Sequence, residues 1–183
     1  MRIRIKEAEV DKQEADVVSQ LKSQMGSLVK TIDTTLQDKT EKQNESLLTA
    51  AGLAVAMPAI LGLVAKFGKS AGTVINKVIG KKPTKKEEEE NWFNKLGKIA
   101  DDLHRLYQAP LENVVKKFIK DPAKVKKVAH FLFHVIVAVM LLASGVTAVK
   151  ALQSKEVSLA TLETALAAIK GGEIKSYISK IIA

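Results

Sequence analysis

Early in the chain, apolar residues fall at Val18, Leu21, Met25, Leu28, Ile32 and Leu36. Steps of three and four place all six on one face of a helix running from about Ala15 to Leu36. The spacing fits ordinary core packing or a short coiled coil. Ahead of it, Arg2-Ile3-Arg4-Ile5-Lys6 alternates and reads as a short strand or a frayed tail. Residues 37–46 are polar and read as a linker or an exposed helix end.

Two segments leave this amphipathic pattern. Leu47 to Ala65 is 19 residues without a charge. A helix of that length rises about 28 Å, close to the apolar thickness of a bilayer. Within it Gly52 and Ala56 are small residues four apart, a spacing that permits close helix contact. Pro58 predicts a kink or a break. The second segment, Val128 to Val149, is 22 residues with no acidic or basic side chain apart from His130 and His134. Asp121-Pro122 opens it with an N-cap and a proline at the first helical position, so the predicted apolar helix covers residues 122–151. Ser144 and Ala148 are again small residues four apart.

The rest of the chain returns to helical periodicity. Gly80 to Lys86 reads as a loop, and Glu87 to Glu90 then suit the positive end of a helix. In that helix Trp92, Leu96, Ile99, Leu103 and Leu106 share a face. Gln108-Ala109 is expected to end it ahead of Pro110, which would open a short helix with Leu111, Val114, Val115, Phe118 and Ile119 inward. Ser158 is expected to cap a later helix ended by Gly171-Gly172, and the spacing of Ile174, Tyr177, Ile178 and Ile181 predicts one more.

These patterns predict an all-α protein, a helical bundle or hairpin with two long apolar helices and flanking amphipathic helices. A polar helical arm covers residues 1–46. A helical domain covers 47–183, with apolar helices at 47–65 and 122–151 and a basic amphipathic region at 66–121.

Charge changes the picture next. The net charge is +9, and residues 66–127 hold 16 of the 29 basic side chains. Lysine supplies all but Arg2, Arg4 and Arg105, whereas arginine is the usual reader of base edges. Lys81, Lys82, Lys85 and Lys86 form one candidate anion-binding cluster, and Lys124, Lys126 and Lys127 another. Phosphates of an anionic membrane or of nucleic acid would satisfy them, as would water. With no cysteine in the sequence, disulfides, thiolate catalysis and cysteine-zinc sites are excluded. No secretory signal is visible in the charged first 46 residues.

Candidate chemistry is sparse. Gly68-Lys69-Ser70 matches the end of a phosphate-binding loop, but Leu63 stands where the first glycine is required, and a helix precedes it instead of a strand. His130 and His134 share a helix face with Phe131-Leu132-Phe133 between them. That spacing can hold a metal, yet it also suits a helix–helix contact. No acidic pair suggests general acid–base work, and Ser144 lacks a nucleophile motif. A non-enzymatic protein without metal or cofactor is expected.

The run Lys120-Asp121-Pro122-Ala123-Lys124-Val125-Lys126-Lys127-Val128-Ala129-His130, continuing to Ala138, resembles small helical proteins of tailed bacteriophages of the T4-like marine type. The resemblance covers about residues 92–150. It implies a virion component or a membrane-active protein of infection, in the virion or the host inner membrane, that associates with itself or with other virion proteins. The alternatives are a soluble helical adaptor in the cytoplasm and a lysine-driven nucleic-acid-packaging protein.

Overall fold

The computed structural model describes residues 2–42, 50–78, 83–146 and 154–183. They form six helices and no strand: α1 (Arg2–Lys42), α2 (Ala50–Val78), α3 (Lys86–Val115), α4 (Pro122–Ala143), α5 (Leu159–Gly171) and α6 (Ile174–Ile182). The alternating start at Arg2 is therefore helix, and the polar stretch stays helical as far as Lys42. Alternation over five residues is too short to compete with a helix that the following residues already propagate.

The first four helices make the bundle. Tyr107 of α3 donates its hydroxyl proton to the carbonyl of Lys22 on α1, and Lys117, just beyond α3, pairs with Asp33 at 2.6 Å. The two sets of residue numbers rise together, so α1 and α3 run in the same direction. Gly68 meets Val139 and Gly72 meets Ala143, so α2 and α4 are likewise parallel to one another. A short connection between α3 and α4 turns the chain back, as in up-and-down bundles. α5 and α6 then pack on α4, with α6 also touching α2.

Most residues of the predicted stripes become core, whereas Leu106, expected on the inward face of α3, is exposed at 45%. Leu21, Met25, Leu28, Ile32 and Leu36 are buried, as are Leu53, Met57, Ile60 and Val64 of α2 and Leu96, Leu103, Leu111 and Val114 of α3. Two prolines fail to break their helices. Pro58 sits exposed inside α2, and Pro110 lies inside a single α3 that joins the first expected helix to the start of the second and ends at Val115, short of Phe118 and Ile119. An interior proline costs about 3 kcal/mol. Each buried aliphatic side chain returns about 1.5–3 kcal/mol, and the apolar stripe continues on both sides of each proline.

Only one of the two expected apolar helices has that character. Among the described residues α4 alone is long and apolar enough to cross a membrane, and 72% of its most apolar window is buried inside the protein. The segment expected at 47–65 forms the first part of α2, which runs on through Lys66, Lys69 and Lys77; residues 47–49 lie outside the described set. α4 itself starts as expected, with Asp121 accepting from the Ala123 N–H at 2.9 Å. It ends at Ala143, well short of residue 151. The N–H of Gly145 bonds to the Leu142 carbonyl and that of Val146 to the Leu141 carbonyl, each at 3.0 Å. Gly145 has φ of 90°. This is a Schellman closure, which a glycine in the left-handed region permits and an uncharged run does not reveal. Ser158 caps α5 by accepting from the Thr161 N–H, and Gly172 closes that helix with φ of 67°.

Candidate functional site

The polar groups that the fold gathers lie where the stretch from Ser154 to Ser158 crosses α3 and α4. Asp101 is on the inward side of α3, beside Ala100 and Leu103, and is 9% exposed. Its carboxylate accepts the Ser154 hydroxyl proton, the Glu156 N–H at 2.9 Å and the Lys155 N–H at 3.2 Å. Ser154 Oγ in turn accepts from the Val157 N–H at 2.9 Å. The backbone here belongs to no helix, so its N–H groups need side-chain partners, and Asp101 supplies them. Burial pushes the Asp101 carboxyl up. The hydrogen bonds from Ser154, Glu156 and Lys155, with the charge of Arg105, outweigh that and leave it below the ordinary carboxylate value.

Two turns of α4 hold the second anchor. His134 is fully buried. Its Nε2 lies 3.0 Å from the N–H of Ser158, and its Nδ1 lies 2.7 Å from the His130 carbonyl oxygen. A backbone N–H can only donate and a carbonyl can only accept. Nε2 is therefore the bare nitrogen and Nδ1 carries the proton. The ring is a neutral bridge between α4 and the cap of α5. Burial is the largest cause lowering its pKa, to about 4; His130 and His104 lower it further by charge, against the hydrogen bond to the His130 carbonyl.

Around it two more imidazoles gather, one tilted and one edge-on. The His130 and His134 ring centroids are 4.2 Å apart, and those of His104 and His130 are 6.2 Å apart. His104 also meets Phe133 edge to face at 5.0 Å, and its Nδ1 is 3.5 Å from Glu156 Oε2. Burial, then the charge of His104, lowers the His130 pKa as well. Asn91, Asn94, Lys98, Asp101, Ser154 and Lys155 border an open groove of about 610 Å³ alongside.

Both nitrogens of His134 and both oxygens of Asp101 are engaged within the protein. They hold the Ser154–Ser158 backbone in place. Among the described residues, no group of three His, Asp or Glu side chains is arranged to hold a metal ion.

The residues singled out from sequence are dispersed. Gly52 and Ala56 are buried on α2, while Pro58 is exposed. The closest glycine packing is further along that helix, at Gly68 and Gly72 against α4. Gly68-Lys69-Ser70 thus lies inside a helix, as an element of its packing. His130 and His134 do come together, and His104 of α3 joins them. Ser144 is buried and donates to the Met140 carbonyl at 2.9 Å. Ala148, Lys81 and Lys82 lie outside the described residues.

The lysine clusters also separate. Lys85 and Lys86 are exposed at the start of α3, and Lys126 and Lys127 are exposed at the start of α4. The 30 residues of α3 put about 45 Å between these ends. Lys124 is drawn inward, its Nζ donating to the Ile182 carbonyl at 2.6 Å.

Sequence reading missed Asp101, His104, Ser154, Glu156 and Ser158 as one constellation. The signal it could have used was Asp101 standing inside the apolar face that Leu96, Ala100 and Leu103 define.

No family model matches this chain, and no curated protein or solved structure matches it.

Proposed function

We propose that the chain is a non-enzymatic, phage-type helical adaptor that works by protein–protein assembly as a water-soluble bundle at neutral pH. The observation that carries this reading is the environment of α4. Its apolar surface is covered by α2, α3, α5 and α6, and 72% of its most apolar window is buried. His134 within α4 and Ser144 at its C-cap, both buried, are bonded to protein atoms. Moving α4 into lipid would exchange protein contacts for acyl chains and break the His134 bridge, with no gain in burial. Among the described residues the large apolar side chains at the surface are Leu106 and Leu159, so contact of this surface with other subunits would rely largely on polar and charged groups.

The lysines weigh less towards nucleic acid. Their two clusters are separated by the length of α3, one of them follows directly into Glu87, Glu88 and Glu89, and Lys124 is occupied by α6. A continuous basic track is what a nucleic-acid strand would require.

Flotation of the purified chain with anionic vesicles at neutral pH, without detergent, tests the reading. The protein should stay in the aqueous fractions and run as a discrete folded species by analytical ultracentrifugation. Co-flotation at neutral pH, or solubility only in detergent, would overturn it in favour of a membrane protein.

A further inference from the structure

The most apolar helix of the bundle is also the one that a buried histidine ties shut. We propose that the stretch from Ser154 to Ser158, with α5 and α6 behind it, is an acid-released strap whose opening uncovers the apolar face of α4 for binding to an anionic lipid surface.

The geometry of the strap is the first support. Two side chains hold it, Asp101 from α3 and His134 from α4. The His134 bond depends on a bare Nε2 facing the Ser158 N–H at 3.0 Å. Protonation of that nitrogen sets two donors against each other, so the bond becomes a repulsion. The ring is fully buried and has no water to turn towards.

The charged and titratable neighbours set the direction. From α4 the ring faces His130; from α3 comes His104, set edge-on to the His130 ring, with Asp101 one turn earlier; from the strap comes Glu156, paired to His104; the cap of α5 presents the Ser158 N–H. Acid adds positive charge to His130 and His134, whose ring centroids are only 4.2 Å apart. Like charges at such distances repel strongly in a low dielectric. Asp101 keeps its grip longer, because its own pKa lies below the ordinary carboxylate value. The strap therefore loosens first at its α5 end.

What the strap covers is the second support. α5 and α6 both lie on α4, where Phe131 stacks on Tyr177 with centroids 6.0 Å apart. α4 is long and apolar enough to match a bilayer, and Lys126 and Lys127 stand exposed at its start. An apolar helix face with lysines at one end is the pattern that docks on anionic lipid.

The test compares flotation with phosphatidylglycerol-containing vesicles at about pH 7 and about pH 4, with circular dichroism at both. The native chain should stay free at neutral pH and float in acid, at least about tenfold more, while keeping most of its helix. His134→Gln keeps a neutral acceptor at the Nε2 position and should remain unbound at about pH 4. His134→Leu removes the acceptor for Ser158 and should bind already near neutral pH. Absence of flotation in acid with helix retained overturns the inference, as does wild-type behaviour of His134→Gln. Loss of all helix at about pH 4 also overturns it, since acid would then unfold the chain instead of opening a strap. Failure here leaves the neutral-pH adaptor reading standing, because that reading is tested at neutral pH alone.

Discussion

Gly72 of α2 and Ala143 of α4 are so close that a Cβ on the glycine would lie 2.8 Å from the alanine Cβ and 3.1 Å from its carbonyl oxygen. One turn earlier, a Cβ on Gly68 would meet Val139 backbone at 3.2 Å and collide with its side chain. The two parallel helices thus touch backbone to backbone along this seam. Gly72→Ala should cost about 1–3 kcal/mol, because backbone and not a flexible side chain must give way. Gly62 provides the internal control. It is exposed on the same helix, and a Cβ added there would have nothing within 4 Å. Gly62→Ala should therefore stabilise by about 0.5–1 kcal/mol. Urea unfolding of the two variants measures both; equal effects would rule out a tight seam at Gly72.

Much of this architecture is legible in the sequence because single residues dominate local structure. Asp121-Pro122 and Ser158 start helices where expected, and Gly172 ends one. Elsewhere one local signal was outweighed or overlooked. Pro110 reads as a boundary, yet Leu103, Leu111 and Val114 bury one continuous face, and that burial exceeds the cost of one proline. The end of α4 depends on Ser144-Gly145, which a search for charge-free length passes over. The strap is the least legible feature. Asp101, His134 and Ser158 are far apart in the chain, and they meet only because α3 and α4 are neighbours. His130 and His134 show in sequence as a pair, while the acceptor role of His134 needs the Ser158 N–H beside it.

Asp101 should be the stronger of the two strap anchors at neutral pH. Three donors converge on its carboxylate, two of them backbone N–H groups that have no helical partner. Asp101→Ala leaves the Lys155 N–H unsatisfied and the Glu156 N–H with only its longer bond to Ser154 Oγ at 3.3 Å, and should destabilise by about 2–3 kcal/mol. Asp102 is a neighbour that pairs with exposed Arg105, at 3.9 Å. Asp102→Ala should change stability by less than about 0.5 kcal/mol. Thermal melts of both variants make the comparison. Hydrogen exchange should further show the Lys155 and Glu156 amides losing protection in Asp101→Ala only.

Lys124 makes a different kind of closure. Its Nζ reaches the C-terminal end of α6, at 2.6 Å to the Ile182 oxygen and 3.4 Å to that of the C-cap Ala183. A cation at the C-terminal end of a helix satisfies unpaired carbonyls and complements the dipole. α6 has only nine residues and cannot hold itself together in isolation. Lys124→Ala should cost about 0.5–1 kcal/mol and speed hydrogen exchange in the last turn of α6. Lys126→Ala, at an exposed position in the same cluster, should leave exchange unchanged. If both variants behave alike, the lysine acts through general charge and the contact to α6 contributes nothing.

The pH dependence of stability follows from the tautomer of His134. In the unfolded chain its pKa is near 6.5, and in the folded protein burial lowers it to about 4. The unfolded state therefore binds the proton more readily. Above the unfolded value both states are neutral at this residue and its contribution to stability is complete. As pH falls from about 6.5 towards about 4, protons favour the unfolded chain and stability declines; below the folded value the loss levels off. A shift of this size corresponds to about 3 kcal/mol over that window. His130 is shifted in the same direction and steepens the decline. Asp101 does not contribute until the pH reaches the carboxylate range, because its pKa is lowered from 3.8. Urea midpoints recorded between about pH 7 and pH 4 should fall accordingly. His134→Gln, which carries no titrating proton, should flatten the decline while costing some stability at neutral pH. A wild-type slope in that variant would assign the effect to His130 or to the surface charge, and would exclude the Ser158-bonded imidazole as its source.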